Sequence, residues 1–332
     1  MRYKMPTGRR KVVLMLKDNQ PTHHLPQSIT HLTFGYYYNQ PTNHLPQSIT
    51  HLTFGHHYNQ ISNVLPPAIT NLTFGYLYNQ PTDHLPSRCT HLTFGAYYNQ
   101  QTNHLPQNIT HLIFGFHYNQ INDDLPHLIT HLTFGYEYNQ PTNNLPQSIT
   151  HLTFGYEYNQ PTNNLPQNIT HLIFGFHYNQ INDDLPQSIT HLTFGHHYNQ
   201  PTILPPLTTH LIFGCNYNQP TILPPLITHL TFGDMYNYAN DNLPSTIIYL
   251  QFGLSYNRQI DHLPPFLETF NLKRSHLVNR NYLKYKNQLM NSVHLTSTNI
   301  PDDDIQKYVQ KNKHNVQMKS LILMQHCLSI FG

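Results

Sequence analysis

Charge is scarce in this sequence: Asp, Glu, Lys and Arg together make up only 10% of its 332 residues. It is also unevenly placed. Between Asn19 and Leu272 the only cations are Arg88 and Arg258, set against eleven acids, while residues 1–18 and 273–332 are both basic. A long middle with two cations cannot neutralise a run of phosphates, so no nucleic acid is expected on it. Cysteine is rare too. Cys89, Cys215 and Cys327 share no disulfide or metal-ligand spacing, which predicts free thiols and a reducing compartment. No apolar run approaches the length of a membrane span, and "VVLML" at 12–16 is too short for a signal-peptide core. The sequons at Asn71, Asn108 and Asn168 therefore imply no glycans, no membrane partner is expected, and the expected location is cytoplasmic. No serine-nucleophile frame, glycine-rich phosphate loop or metal-ligand cluster stands out, so the chain reads as a non-enzyme without cofactors.

What the sequence has in abundance is itself. Leu-Pro recurs at 25, 45, 65, 85, 105, 125, 145, 165, 185, 204, 223, 243 and 263. Phe-Gly follows nine residues after twelve of these, from Phe34-Gly35 to Phe252-Gly253, and Tyr-Asn follows each time, from Tyr38-Asn39 to Tyr256-Asn257. Such a short period overrides any count of domains from length. Within "ITHLTFG" the alternation from Leu32 onward has the period of a strand with one buried face, which predicts a strand at about 31–34. The glycine ends it, either because the chain needs a positive φ there or because it passes close to the next coil. Pro26 and Pro41 exclude a helix on the way back and predict an extended or polyproline-like return.

One such unit cannot stand alone. Ordering its backbone costs roughly 1–2 kcal/mol per residue, more than its six apolar side chains recover at about 1.5–3 kcal/mol each. Stacking supplies each unit with a matching wall on both sides, so the expected fold is a β solenoid with a parallel strand ladder of about twelve repeats. Asn39 and its equivalents are expected to serve turns and ladders, and the tyrosines to line the wall. "KVVLMLKDNQPT" at 11–22 reads as the second half of a repeat, with Val12 and Leu14 in the places of Leu32 and Phe34. "LPPFLETFNL" at 263–272 reads as a first half. The resulting division is a basic segment and half-repeat cap at 1–24, a solenoid at 25–272 and a basic, helical tail at 273–332.

The recurring "LPxSITxLTFGxxYNQP" resembles the FNIP repeat, a relative of leucine-rich repeats from social amoebae and giant amoebal viruses. The resemblance covers about 25–272 and implies a leucine-rich-repeat-like solenoid that binds proteins and has no enzymatic activity. It also implies, for members with an F-box ahead of the repeats, an adaptor role for ubiquitin ligases. This chain departs from that arrangement, because about twenty residues precede the first full repeat, too few for a three-helix F-box.

With Leu32 and Phe34 inward, the residues between them face outward and stacking lines them up. One row holds His31, His51, His91, His111, His131, His151, His171, His191, His210 and His229, with Asn71 and Tyr249 as exceptions. The next holds Thr33, Thr53, Thr73, Thr93, Thr133, Thr153, Thr193 and Thr231, with Ile113, Ile173, Ile212 and Gln251 among them. This strip is the candidate protein-binding site. An alternative is a metal-binding His ladder, although parallel imidazoles do not converge on one tetrahedral centre. An ice or polysaccharide face fits the bulky histidines poorly, and a plain solvated strand face needs no partner at all. Variation between repeats falls mainly on the two residues after the glycine, such as Tyr36-Tyr37, His56-His57, Tyr76-Leu77, Ala96-Tyr97, Phe116-His117 and Tyr136-Glu137. Copying accounts for part of the regularity, since 105–124 and 165–184 are identical.

Overall fold

In the computed structural model the described residues are 13–16, 19 and 21–272, except 63, 123, 240, 241, 259 and 261. The helical tail expected at 273–332 lies outside them, as does most of the segment at 1–24. Within them, fourteen short strands from Val13–Leu16 to Thr269–Leu272 form one sheet in chain order, and each described neighbour pair is parallel. Every full repeat contributes one strand, His31–Phe34 in the first and His51–Thr53 in the second, where the alternation places it. His pairs with His and Leu with Leu along the ladder.

Five columns fill the core. Leu25, Ile29, Leu32, Phe34 and Tyr38 are all buried, and the last four columns stay buried coil after coil, while Leu65, Leu85, Leu204, Leu223, Leu243 and Leu263 in the Leu25 column are partly buried. In each coil the Phe and Tyr rings stack face to face, 3.7 Å apart for Phe34 and Tyr38. Several tyrosine hydroxyls are satisfied within the core, as in Tyr118 donating to Asn122 Oδ1 at 2.6 Å and Tyr158 bonding Thr142 at 2.9 Å. Burial, chiefly, raises the pKa of these phenols well above its ordinary value. Asparagine forms the expected ladder: the Oδ1 of each accepts the backbone N–H of the next, 2.9 Å for Asn59 on Asn39 and for Asn139 on Asn119.

Two details differ from expectation, and the glycine turns out to follow one of its two expected reasons. The return path is built on hydrogen-bonded turns, with Ile29 N–H donating to Pro26 O and Tyr38 N–H to Gly35 O, both at 3.2 Å. The glycines are not in the left-handed region at any position from Gly55 to Gly253; close approach alone requires them. A Cβ on Gly155 would lie 1.6 Å from the carbonyl oxygen of Gly135 in the coil before. Finally, the first strand pairs Leu14 with Leu32 and Leu16 with Phe34, an offset of eighteen. Asn19 nonetheless bonds Asn39 at the usual offset of twenty. In sequence only two residues separate Leu16 from Asn19, where four separate Phe34 from Asn39, which matches the slide of the strand by two.

Spacing between coils is not uniform. Successive imidazoles of the outer strand face lie 4.0–4.2 Å apart. Successive phenylalanines lie 5.3–5.8 Å apart, and successive core tyrosines 5.9–6.2 Å. The coils close up on the histidine side and splay on the tyrosine side.

Candidate functional site

Strand alternation turns the predicted strip outward. His51 and His91 are exposed, the other histidines of the row are half-buried, and Thr33, Thr53, Thr133 and Thr153 are half-buried beside them. Ile113, Ile173 and Ile212 replace Thr with exposed apolar side chains. His31 and His51 stack as a pair, Asn71 interrupts the row, and His91, His111, His131, His151, His171, His191, His210 and His229 form one unbroken stack at 4.1–4.2 Å. Tyr249 closes it at 5.9 Å.

Each imidazole is held by the threonine before it. Thr110 Oγ1 lies 2.9 Å from His111 Nδ1, and the same distance recurs at His131, His151 and His171. The hydroxyl donates to the carbonyl of the preceding coil, 3.1–3.2 Å away. That carbonyl also accepts two backbone N–H groups: Thr90 O takes Thr110 N at 2.8 Å and His111 N at 3.0 Å. Each threonine thus ties its imidazole to the coil before. Asn71 repeats the arrangement at the rung without histidine, its Oδ1 accepting from Thr70 Oγ1 at 2.8 Å. The strip is a row of stacked imidazoles, each fixed by a threonine.

Burial first, and neighbouring imidazoles second, lower the pKa of His111, His131, His151, His171 and His191; His210 falls to about 4. Protonating one of these six rungs would place a cation against the faces of its neighbours, so the six are neutral at pH 7. A metal fits it poorly. Stacked rings point their nitrogens in parallel and do not converge on one centre. Among the described residues no group of three His, Cys, Asp or Glu is placed to hold a metal ion.

Beside this strip runs a second feature, the residues directly after the glycines. Tyr36, His56 and Tyr76 stack at 4.5 Å. Phe116, Tyr136, Tyr156, Phe176 and His196 stack at 4.3–4.4 Å. The sequence shows the variety at this position but not that the rings form a column. On its flank His117 pairs with Glu137 at 3.0 Å, and His177 lies 3.1 Å from His197, Nδ1 to Nδ1. Among the described residues no helix is long and apolar enough to cross a membrane.

Comparison with known proteins places this geometry. No curated protein matches the chain. The giant-virus protein CroV588, whose crystal structure is described as a novel circular LRR protein structure, is 39% identical over 75% of this chain, with a TM-score of 0.66. The matched region is 47% of CroV588, so the chain spans about half the length of that protein. YopM from Yersinia enterocolitica WA-314 is 19% identical over 78% of this chain and 69% of its own, with a TM-score of 0.45. The FNIP repeat pattern matches nine times in overlapping windows that run from residue 19 to residue 255. With parallel strands in register, a glycine column and an asparagine ladder at the repeat's fixed points, the chain belongs to the FNIP repeat family.

Proposed function

We propose that this chain is a non-enzymatic scaffold in the cytoplasm that binds a protein partner along the His–Thr strip. Leucine-rich-repeat-like solenoids are commonly used for protein–protein interaction, and the strip is the longest regular outward surface among the described residues. The observation that carries the reading is the unbroken stack from His91 to His229, a rigid row of imidazoles with exposed isoleucines alongside. Rigid polar groups lose little entropy on binding, and flanking apolar groups supply area. CroV588 is described as circular; the closing-up of coils on the histidine side puts the strip on the inside of a bend, where a partner meets several coils at once. An acidic middle with two cations favours a protein over a nucleic acid. The F-box arrangement of adaptor proteins contributes nothing to this reading.

The test is affinity capture from an amoebal lysate with the full chain and strip variants. Contacts that count cluster in a few neighbouring coils, so His111→Ala, His131→Ala and His151→Ala together abolish capture, while His31→Ala with His51→Ala leaves most of it. Capture indifferent to every histidine change, together with stoichiometric zinc binding at pH 7.5, would favour the metal-binding alternative.

A further inference from the structure

The column after the glycines is aromatic at eight of nine successive rungs from Tyr36 to His196, and the ninth is Ala96. Ala96 stands between Tyr76 and Phe116. Everywhere else along this span the rings stack at 4.3–4.5 Å, so two rungs of about 4.4 Å separate Tyr76 from Phe116, with a methyl group where one ring would fit. The backbone does not close this space. Tyr97 N–H donates to Tyr76 O at 2.9 Å and His117 N–H to Ala96 O at 2.8 Å, the same inter-coil bonds as in the filled coils. Among the described residues no ring contact joins Tyr76 to Phe116, and both are more exposed, at 45% and 42%, than Tyr136 inside the filled stack at 37%.

Tyr97 does not plug the gap. It meets Tyr76 edge-on at 5.3 Å and 62°. The same contact occurs where the column is complete: His57 meets Tyr36 at 5.1 Å and 71°, and His177 meets Tyr156 at 5.0 Å and 81°. It is the ordinary packing of the second residue after the glycine on the coil before.

Resting on the protein-scaffold reading, we propose that the Ala96 gap is a slot for one aromatic side chain of the partner protein, which inserts between Tyr76 and Phe116 and completes the column. The chemistry suits an aromatic ring and little else. Both walls are ring faces held parallel to their neighbours, the spacing is that of the native rungs, and a stacked guest gains offset contacts on two sides. Elsewhere the column shows solvent mainly ring edges, because each face is covered by the next rung. The slot is therefore the place where a partner reaches two aromatic faces together, and a single aromatic anchor in a preformed pocket is how hot spots are built.

The chain contains no tryptophan, so the fluorescence of an indole probe reports binding without background. N-acetyltryptophanamide is titrated into the full chain, with adenosine as a competing planar ligand. Saturable binding is expected, weakened at least tenfold by Ala96→Phe, which fills the gap with the ring already used at 116 and 176, and also by Phe116→Ala, which removes one wall. Ala96→Phe should melt higher than the parent, as a completed column must. The slot is ruled out if no saturation is reached, or if Ala96→Phe binds the probe as the parent does. Adenosine binding tenfold more tightly than the indole overturns the choice of occupant in favour of a nucleobase. Partner capture lost in the triple histidine variant but unchanged in Ala96→Phe would overturn the slot and leave the scaffold reading standing, whereas capture unaffected by both would end the scaffold reading itself.

Discussion

Replacing Gly155 by alanine adds one carbon at a place where the coil before has already put a carbonyl. That carbon would lie 1.6 Å from Gly135 O, 2.6 Å from its carbonyl carbon and 3.2 Å from Tyr136 N. All three are backbone atoms, so no side chain can rotate away, and the two coils must part by about 1.5 Å to restore a contact of ordinary length. The bonds that cross this junction are short: Phe134 N–H to Thr153 O, Glu157 N–H to Tyr136 O and Asn159 N–H to Asn139 Oδ1, each 2.9 Å. Losing three such bonds costs about 3 kcal/mol at roughly 1 kcal/mol each, and the overpacking adds about 1–3 kcal/mol. A loss of about 4–6 kcal/mol is therefore expected, read as a lower urea midpoint. Because each coil contacts only its neighbours, the damage should also divide the stack and broaden the transition. Gly155→Asn separates the two reasons a glycine can be required. Asparagine tolerates a positive φ but carries the same Cβ, so it should be as harmful as alanine. An alanine variant within about 0.5 kcal/mol of the parent, the usual range of an unconstrained surface change, would refute the close-approach argument.

Two further outcomes follow from the ladders. Since the pKa values of His111 through His210 in the strip lie below the ordinary imidazole value when folded, the unfolded chain binds more protons as the pH falls below about 6.5. Stability is full above that pH and declines towards pH 4, so the urea midpoint should be lower at pH 5.0 than at pH 7.5, and changing those rungs to asparagine should flatten the dependence. Asn119→Ala removes the acceptor for Asn139 N–H and Gln140 Nε2–H, which should cost about 1–3 kcal/mol in a denaturant titration, while Gln147→Ala, on the exposed return path, should change little.

The buried columns were legible in the sequence because a stack constrains each of them from both sides. A core leucine must match the coil before and the coil after, so Leu32, Phe34 and Tyr38 recur with almost no variation and their spacing gives strand, turn and order. The same logic misplaces the first strand, since a period of twenty pairs Val12 with Leu32, and only the missing residues between Leu16 and Asn19 shift the pairing to Leu14. It also leaves the glycine open, because a positive φ and a carbonyl in the way of Cβ both demand the same residue. For the candidate site, alternation was enough to put His and Thr outward. It could not show that each ring is tied by the threonine before it, whose hydroxyl bonds a carbonyl in another coil. Nor could it show that the residues after the glycines form a column, without which Ala96 is one variable residue among many.

Copying sets a limit on where specificity can reside. Residues 105–124 and 165–184 are identical, so they present the same imidazole, the same exposed isoleucine and the same Phe–His pair three coils apart. A partner that contacted copied rungs alone would find two equivalent registers and bind at both with equal affinity. One register is selected only if some contact falls where the coils differ. Differences lie on both sides of the copies, and upstream three fall within two successive coils: Asn71 in place of a histidine, Cys89 in place of the core isoleucine, and Ala96 in place of a ring. Cys89 is buried, its thiol pushed up to about 12 and donating to His91 O at 3.4 Å, so it lies away from the outward columns. Asn71 and Ala96 alter the two outward columns, one by replacing an imidazole with an amide and the other by opening a gap. A partner anchored there and extended along the copied rungs gains affinity from the repeats and its register from the exceptions.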